Sequence, residues 1–353
     1  MLFIKKGYIM EQKKQNLISI GLFVALIILS FISIFIGVLD ISLSGILSGD
    51  YYQLKILFAS RLPRLLAILC TGVGMSIAGL IMQQLCMNKF VSPTTGATIS
   101  SAQLGVLITL ILMPSATILE KTAVAFTTSI IGTWIFVYFT QKLKFKDTIM
   151  VPLIGIMFGS VIGGFTNYFA YKYNLLQSLS TTFVGEFSLI IRGRYEIVFL
   201  IVPLVIIAYI YANHFNIVGM GESFATNLGV NHNLILFGGL SIAALITASV
   251  VVTVGTISYI GLIVPNMVAM FRGDKIRGSM LDISLVGALF VLICDMIARL
   301  VIFPYELPID LVIGVIGSIL FIGLMFKKLN PHSKPLKAKQ KKETQAIGGE
   351  VNA

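Results

Sequence analysis

Two arginines near the start of an apolar run are the first candidate functional residues in the sequence. Arg61 and Arg64 stand one helical turn apart in the stretch RLPR. Pro63 suits the first turn of a helix, where Ser60 could cap the free backbone N–H groups. A guanidinium group is planar and grips a carboxylate with two hydrogen bonds. The pair therefore indicates recognition of acidic side chains, and the alternative is that it only anchors a helix end.

A second ionisable cluster lies inside an apolar run near the end of the chain. Asp295 and Arg299 are spaced i, i+4, the favourable order for an ion pair on one helix face. Ionisable residues within membrane-spanning runs are functional candidates by default. The alternative is a self-neutralising pair near the outer interface. Glu306 follows, and with Pro308 it begins the last apolar run.

Three glycines form a stripe that suits either close helix packing or the passage of a substrate. Gly155, Gly159 and Gly163 are spaced four apart, which places them on one face of a helix. Such a stripe commonly packs against a neighbouring helix. It could equally line a substrate path, because a bulky side chain there would block passage. The small residues that follow Arg64, among them Gly72 and Gly79, also favour close helix approach.

One long loop, residues 214–233, differs from the other loops because it lacks lysine and arginine. It contains Gly219, Gly221, Glu222 and Gly229 together with apolar residues. The pattern predicts two short helices joined at a glycine turn, with Gly229 ending the second. A docking element for a soluble cytoplasmic partner explains the missing charge and the apolar face. The alternative is a simple tight connection.

No motif for enzyme chemistry is found in the sequence. It contains no G-x-x-x-x-G-K-[ST], H-E-x-x-H or G-x-S-x-G segment. The three cysteines are widely spaced and fit neither a zinc nor a disulfide pattern. The three histidines are scattered through a loop region and the tail. We therefore expect no catalytic residue, no metal site and no cofactor, and we interpret the chain as a conduit.

Long apolar helices must position these residues. The chain has 353 residues, of which 57% are hydrophobic and only 12% are charged, with a mean hydropathy of +0.95. Soluble domains carry about 25% charged residues. The pattern predicts an all-α polytopic membrane protein. Its ten predicted spans are residues 17–39, 62–85, 96–113, 118–140, 149–171, 195–213, 234–254, 255–271, 281–303 and 308–328. The eighth carries Pro265 and Asn266, which suggests a broken or re-entrant segment.

Basic residues set the topology. Most of the 26 lysines and arginines fall on one side of the ten spans, so the positive-inside rule places both termini in the cytoplasm. The net charge of +11 reflects this topology and does not indicate nucleic-acid binding. We expect a membrane domain over residues 1–329. We expect residues 330–353 to form a basic, disordered tail that could contact lipid headgroups. Met1 and Met10 both remain open as the start.

Four blocks, taken together and in order, resemble one transporter family. They are RLPR at 61–64 with the NKFVSPTTG loop that follows it, GMGESFATNLGV at 219–230, GTISYIGLIVPNMVAMFRGD at 255–274 and CDMIARLVIFPYELP at 294–308. The chain is similar to the permease subunits of the iron-siderophore and vitamin B12 ABC importers, the FecCD-like family. FASRLPR, GLIMQQ and FPYE most resemble its petrobactin and catecholate branch. Asn266 departs from the histidine that many members carry after the proline.

The resemblance implies a type II ABC importer permease in the bacterial cytoplasmic membrane. Two ten-span permeases, identical or merely similar, would enclose one path and bind two copies of a cytoplasmic ATPase. An extracytoplasmic lipoprotein or periplasmic binding protein would deliver the ferric siderophore. The resemblance assigns docking of that protein to Arg61, Arg64 and Arg299. It favours contact with the ATPase around Glu222 and a path along the Gly155–Gly163 stripe.

Two other functions compete with this interpretation. An ion-coupled secondary transporter of a small metabolite would need inverted repeats and ionisable residues near the membrane midplane. No convincing repeat is present, and the few intramembrane charges cluster toward one end. A structural scaffold would not explain the loop without basic residues. The sequence does not specify the chelate, because recognition in such importers lies largely in the binding protein.

Overall fold

The computed structural model describes residues 2–39, 41–142, 150–191, 195–272 and 276–329. Within these ranges the protein is helical and has no β-strand, as the composition predicts. The predicted tail, residues 330–353, lies outside them. The helices are α1 Leu2–Phe35, α2 Leu43–Leu47, α3 Tyr51–Ile56, α4 Leu62–Leu85, α5 Thr98–Leu112, α6 Ile118–Lys142, α7 Met150–Lys172, α8 Leu176–Phe183, α9 Ile201–Val218, α10 Glu222–Asn227, α11 His232–Thr253, α12 Ile260–Arg272, α13 Ile276–Leu300 and α14 Ile309–Leu329.

Ten of these helices correspond to the ten predicted spans. Eight candidate spans are long and apolar enough to cross a membrane, and the shorter helices α5 and α12 are also apolar. An even number of crossings puts the start of α1 and the end of α14 on one side, the inner face. The outer face holds the connections from α1 to α4 and from α13 to α14.

Helix α4 is the centre of the bundle. The most apolar window of the continuous helical stretch Tyr51–Leu85 is 78% buried, against 6% for α1 and 17% for α7. Gly79 meets the backbone of Gly261 in α12, and Gly72 meets the backbone of Gly287 in α13. A side chain at either position of α4 would collide with backbone atoms. The small residues therefore let α12 and α13 pack directly on α4, as expected.

The entrance to α4 differs from the sequence-based expectation. A π-helical turn, Leu57–Arg61, connects α3 to α4 without interruption. The N–H group of Leu62 donates to the carbonyl oxygen of Leu57 in this turn. Ser60 therefore caps nothing, and its predicted role as a cap is wrong. The preceding helix supplies the hydrogen-bond acceptors that a free helix end would lack.

Helix α12 is short and continuous through its proline. The irregular segment 255–259 precedes the helix, and Pro265 lies inside it. Proline lacks an N–H group, so the carbonyl of Gly261 loses its partner within the helix. The side-chain amide of Gln83 in α4 donates to that carbonyl at 3.1 Å and to the carbonyl of Leu262 at 3.3 Å. A neighbouring helix thus satisfies the group that the proline leaves unpaired.

The outer end of α14 is tied to irregular backbone. The N–H group of Ile309 donates to the carbonyl oxygen of Gly185 at 2.9 Å. The carboxylate of Asp310 accepts a hydrogen bond from the N–H group of Ser258 at 2.8 Å. Segments that follow α8 and precede α12 therefore meet at the start of α14. These contacts satisfy backbone groups that no regular element pairs.

Candidate functional site

Five ionisable side chains meet at the outer ends of α4 and α13. We call this set the outer charge network; its members are Arg61, Arg64, Asp295, Arg299 and Glu306. Arg64 is the link between two carboxylates. Its Nη2 lies 2.7 Å from Oδ1 of Asp295, and its Nη1 lies 2.8 Å from Oε2 of Glu306. The network joins positions 231 and 242 residues apart in the chain.

Arg299 forms the predicted ion pair with Asp295 and also caps α1. Its Nη2 lies 2.6 Å from Oδ2 of Asp295. Its Nη1 donates to the backbone carbonyls of Ser33 at 3.0 Å and Ile36 at 2.7 Å. Carbonyl groups at a helix C-terminus lack partners within the helix and carry partial negative charge. Arg299 therefore anchors the outer end of α1 to α13.

Arg61 has a similar anchoring role. Its Nη1 donates to the carbonyl of Ile36 at 2.7 Å, and its Nη2 to that of Leu39 at 3.0 Å. No carboxylate of the described residues forms a salt bridge with it. The guanidinium group also lies against Gly37, where a side chain would overlap it. Arg61 thus holds the chain just after α1 against the start of α4.

The three arginines are buried, whereas direct recognition of another protein by Arg61 and Arg64 requires both to face outward. Their residue exposures are 9% for Arg61, 8% for Arg64 and 3% for Arg299. Internal hydrogen bonds occupy each guanidinium group. Binding-protein docking by these residues stays a prediction, whereas anchoring of helix ends is observed for Arg61 and Arg299.

Glu306 is the most accessible member of the ion-paired set. Its side chain is 25% exposed, compared with 10% for Arg64 and 1% for Asp295. It follows an exposed apolar loop in which Phe303 is 59% and Tyr305 75% exposed. The outer charge network therefore reaches the surface at Glu306, beside two aromatic side chains.

At the inner face, the predicted coupling loop is built around α10. Gly221, with a φ of 112°, precedes α10, and Gly229, with a φ of 73°, follows it. The N–H groups of Gly229 and Val230 donate to carbonyls of the last turn, at Thr226 and Ala225. This is a Schellman ending, as predicted for Gly229. One short helix forms where two were expected, because α9 continues to Val218.

Three exposed apolar side chains, one within α10 and one just beyond each end, lie near one acidic residue, with exposed polar residues between them. Glu222 begins the helix and is exposed. Met220, Phe224 and Leu228 are 63%, 43% and 56% exposed. Gly219 lies against the side chain of Gln84, which leaves no room for a larger residue. A loop that serves only as a connection does not need such a surface, so this geometry suits contact with another protein.

A cavity of about 250 Å³ lies between this loop and the inner ends of α4, α12 and α13. Its polar lining includes Gln83, Gln84 and Asn266. Asn266 donates from Nδ2 to the carbonyls of Lys89 at 2.8 Å and Leu262 at 2.7 Å. The amide therefore fastens the loop after α4 to α12 without an imidazole.

The structure separates the glycine stripe of α7 into two parts. A side chain at Gly155 would overlap the carbonyl of Thr95. A Cβ at Gly159 would lie 3.3 Å from Oγ of Ser100. Gly163 has open space around it. The first two glycines pack against the start of α5 and the segment before it, whereas Gly163 has no neighbouring atom in contact among the described residues.

A second ion pair at the inner face was not foreseen. Arg272, at the end of α12, pairs with Asp282 of α13. Its Nη1 and Nη2 also donate to Gln15 in α1, at 3.1 and 2.9 Å. Asp282 accepts from Ser19 at 2.7 Å. Asp282 is an acidic residue inside an apolar run, which marks it as unusual in the sequence. Nothing in the sequence indicates which residues it contacts.

Comparison with known proteins identifies the family of this helical chain. A sequence model of the FecCD transport family matches residues 25–327 of the chain. The chain belongs to the FecCD transport family. The resemblance based on four short blocks is thereby confirmed. This FecCD protein is accordingly a multi-pass protein of the bacterial cytoplasmic membrane.

Similar sequences come from petrobactin importers. The petrobactin import system permease protein YclN of Bacillus subtilis strain 168 is 47% identical over 307 residues, which cover 87% of this chain and 97% of YclN. The petrobactin import system permease protein FatD of Bacillus anthracis is 38% identical over 308 residues, covering 87% of this chain and 90% of FatD. The alignments span nearly the whole of each relative.

A solved structure shares the fold. An inward-facing metal-chelate type ABC transporter superposes with a TM-score of 0.77 and covers 88% of this chain and 99% of its own. Its sequence identity is 24%, so the likeness concerns the fold alone. The predicted ten-helix permease fold is thereby confirmed. No comparison supports a secondary transporter.

Proposed function

We propose that this FecCD protein is the permease subunit of an ATP-driven importer for ferric siderophores of the petrobactin or another catecholate type. The observation that carries the proposal is the 47% identity to a petrobactin permease over almost its full length. The ten-helix fold and its likeness to a metal-chelate transporter support the same conclusion. The chain itself performs no reaction, and the energy comes from a separate ATPase.

Two copies of a cytoplasmic ATPase would bind the inner face of the assembled importer, one at α10 of each permease subunit. Exposed apolar residues lie in α10 and at both of its ends, near Glu222, and glycines with positive φ precede and follow the helix. A rigid element transmits movement better than a flexible loop does. Glu222→Lys should therefore lower ATPase association and uptake. The permease should still insert, because the exposed Glu222 side chain forms no hydrogen bond or ion pair with the described residues. Normal association and normal uptake in this variant would contradict the assignment.

A second permease subunit, either a similar chain or a second copy, would complete the path. Helix α7 is 17% buried and α14 is 22% buried over their most apolar windows. Lipid and a partner permease would cover these faces. The open space at Gly163 lies on α7, which supports a path along the face that this helix presents.

An extracytoplasmic binding lipoprotein or periplasmic protein would deliver the chelate at the outer face. Arg61, Arg64 and Arg299 remain the residues proposed for docking, within the network described above. Their burial favours an indirect role for Arg61 and Arg299, because both hold α1 in place. Arg64 is the docking residue that the geometry supports best, because it pairs with the partly exposed Glu306.

Co-purification tests the proposed assembly. The full chain, carrying an affinity tag, should retain two copies of one ATPase chain. It should also retain a second permease, which is either a similar chain or a second copy of itself. It should also retain a binding protein that carries ferric petrobactin or a related catecholate. Recovery of the chain alone after gentle solubilisation, from cells that import the chelate, would contradict the proposal.

A further inference from the structure

Arg64 divides its hydrogen bonds between a buried and an accessible carboxylate. Nε and Nη2 both bond Oδ1 of Asp295, at 3.2 and 2.7 Å. Nη1 bonds both oxygens of Glu306, at 2.9 and 2.8 Å. Asp295 is 1% exposed, so no external group can reach it. Glu306 is the partner of Arg64 that solvent and other proteins can approach.

Within the outer charge network, the contact between Arg64 and Glu306 is the one that can change. Arg61 and Arg299 are committed to carbonyls at the end of α1. Three guanidinium groups face two carboxylates, so the outer charge network carries an excess positive charge. An acidic group that approaches from outside is therefore attracted to it. Asp295 would keep Arg64 charged and fixed during any exchange of the outer partner.

We propose that Glu306 is a displaceable internal partner of Arg64. A carboxylate of the docked extracytoplasmic binding protein takes its place on Nη1. The inference rests on the proposed docking function and adds the group that the incoming carboxylate replaces. The Glu306 side chain is partly exposed, so water already weakens its ion pair with Arg64, and a larger interface can supply the energy for such an exchange.

The surroundings of Glu306 favour a protein as the source of that carboxylate. Phe303 and Tyr305 are exposed within the same loop, and aromatic side chains are common anchors of protein interfaces. The geometry lets them contact a docked protein while its carboxylate reaches Arg64. A lipid phosphate is the competing anionic group, and nanodiscs with and without anionic lipid distinguish it from a protein carboxylate.

Displacement of Glu306 from Arg64 would also affect the connection that leads into α14. Glu306 lies three residues before Ile309, whose N–H group bonds the carbonyl of Gly185. The N–H group of Leu307 bonds the carbonyl of Ala298 in α13. Besides these backbone bonds, the Arg64 contact is the side-chain link between this connection and α4. Loss of that link gives the α13–α14 connection freedom to move when the binding protein docks.

The test measures the affinity of the chelate-loaded binding protein for the whole importer in nanodiscs. The probe is the co-purified binding protein loaded with ferric petrobactin. Glu306→Gln should tighten binding by about two- to fivefold, because Arg64 no longer exchanges partners. Arg64→Gln should weaken binding, and in that background Glu306→Gln should have no tightening effect. Glu120→Gln, which also removes one negative charge from the outer face, should leave the affinity unchanged.

Several outcomes would overturn the exchange. Unchanged or weaker binding by Glu306→Gln would do so, as would tightening that persists without Arg64. If tightening appears only in nanodiscs that contain anionic lipid, the group that replaces Glu306 is a lipid phosphate and the proposal fails. Should Glu306→Gln reduce assembly, Glu306→Asp, which shortens the reach to Arg64, must show the tightening instead. Absence of any binding by the parent importer would contradict the docking function itself, which distinguishes the two failures.

Discussion

At the scale of single residues, Asp295 holds the outer charge network together. It accepts hydrogen bonds from Arg64 and forms an ion pair with Arg299, and it is almost completely buried. Each arginine in turn contacts a different part of the chain. Asp295 therefore connects α1, α4 and α13 through two guanidinium groups. Burial of a charge is tolerated here because it is paired on both oxygens.

Replacement of Asp295 should be among the most harmful changes in the outer half. Asp295→Asn leaves two buried guanidinium groups with one remaining carboxylate, and breaking a buried pair costs about 3–5 kcal/mol. We expect a clear drop in the melting temperature of the detergent-solubilised chain. Glu120→Gln, a change at an exposed site, is the control. Equal melting temperatures for Asp295→Asn and the parent would contradict the role of Asp295.

Part of this network follows from the sequence, and part does not. The Asp295–Arg299 pair is local, because residues four apart share a helix face. The Arg64–Asp295 contact joins residues 231 positions apart, and it depends on how α13 packs against α4. The burial of Arg61 likewise depends on where α1 ends. Spacing identifies which residues are unusual, but only tertiary packing decides which of them meet.

At the scale of elements, the pairing of α4 with α12 depends on a proline and an amide. Pro265 removes the N–H group that would bond the Gly261 carbonyl, and Gln83 replaces that donor from α4. The sequence indicated an interrupted segment here, whereas the helix continues because its free carbonyl has an external partner. Propensity alone could not foresee the partner, since Gln83 lies 178 residues away.

A double-mutant cycle tests this compensation. Gln83→Leu should lower stability by about 1–3 kcal/mol, because it leaves a buried carbonyl without a donor. Pro265→Ala restores the N–H group, so the penalty of Gln83→Leu should shrink in that background. Thermal unfolding of the four proteins measures both effects. Equal penalties in the two backgrounds would show that Gln83 does not compensate for the proline.

The glycines of α7 allow a matched comparison of packing with passage. Gly155→Leu should prevent normal packing, because a side chain there overlaps the carbonyl of Thr95. Gly163→Leu has room in the folded chain. It should leave insertion and melting temperature unchanged but reduce uptake strongly if the path runs along this face. Full uptake by a stably folded Gly163→Leu protein would remove Gly163 from the path.

At the scale of the whole molecule, ten apolar helices of the described ranges include one largely buried helix, α4, against which α9, α11, α12 and α13 pack. Two candidate functional surfaces lie at opposite faces. The outer charge network and the α10 surface lie at opposite ends of the bundle. Between them run α4 and the helices packed on it. The number of spans and the topology follow from hydropathy and basic residues, because lipid imposes both. The arrangement of helices around α4 does not follow from hydropathy, because it depends on small residues at the contacts.

The most direct test of the transport function measures uptake of radiolabelled ferric petrobactin into proteoliposomes. The vesicles contain this chain with its co-purified permease and ATPase, and the binding protein is supplied outside. We expect uptake that requires ATP inside the vesicles and the external binding protein, and that continues when ionophores collapse the ion gradients. Uptake that persists without ATP and stops on addition of ionophores would contradict the account.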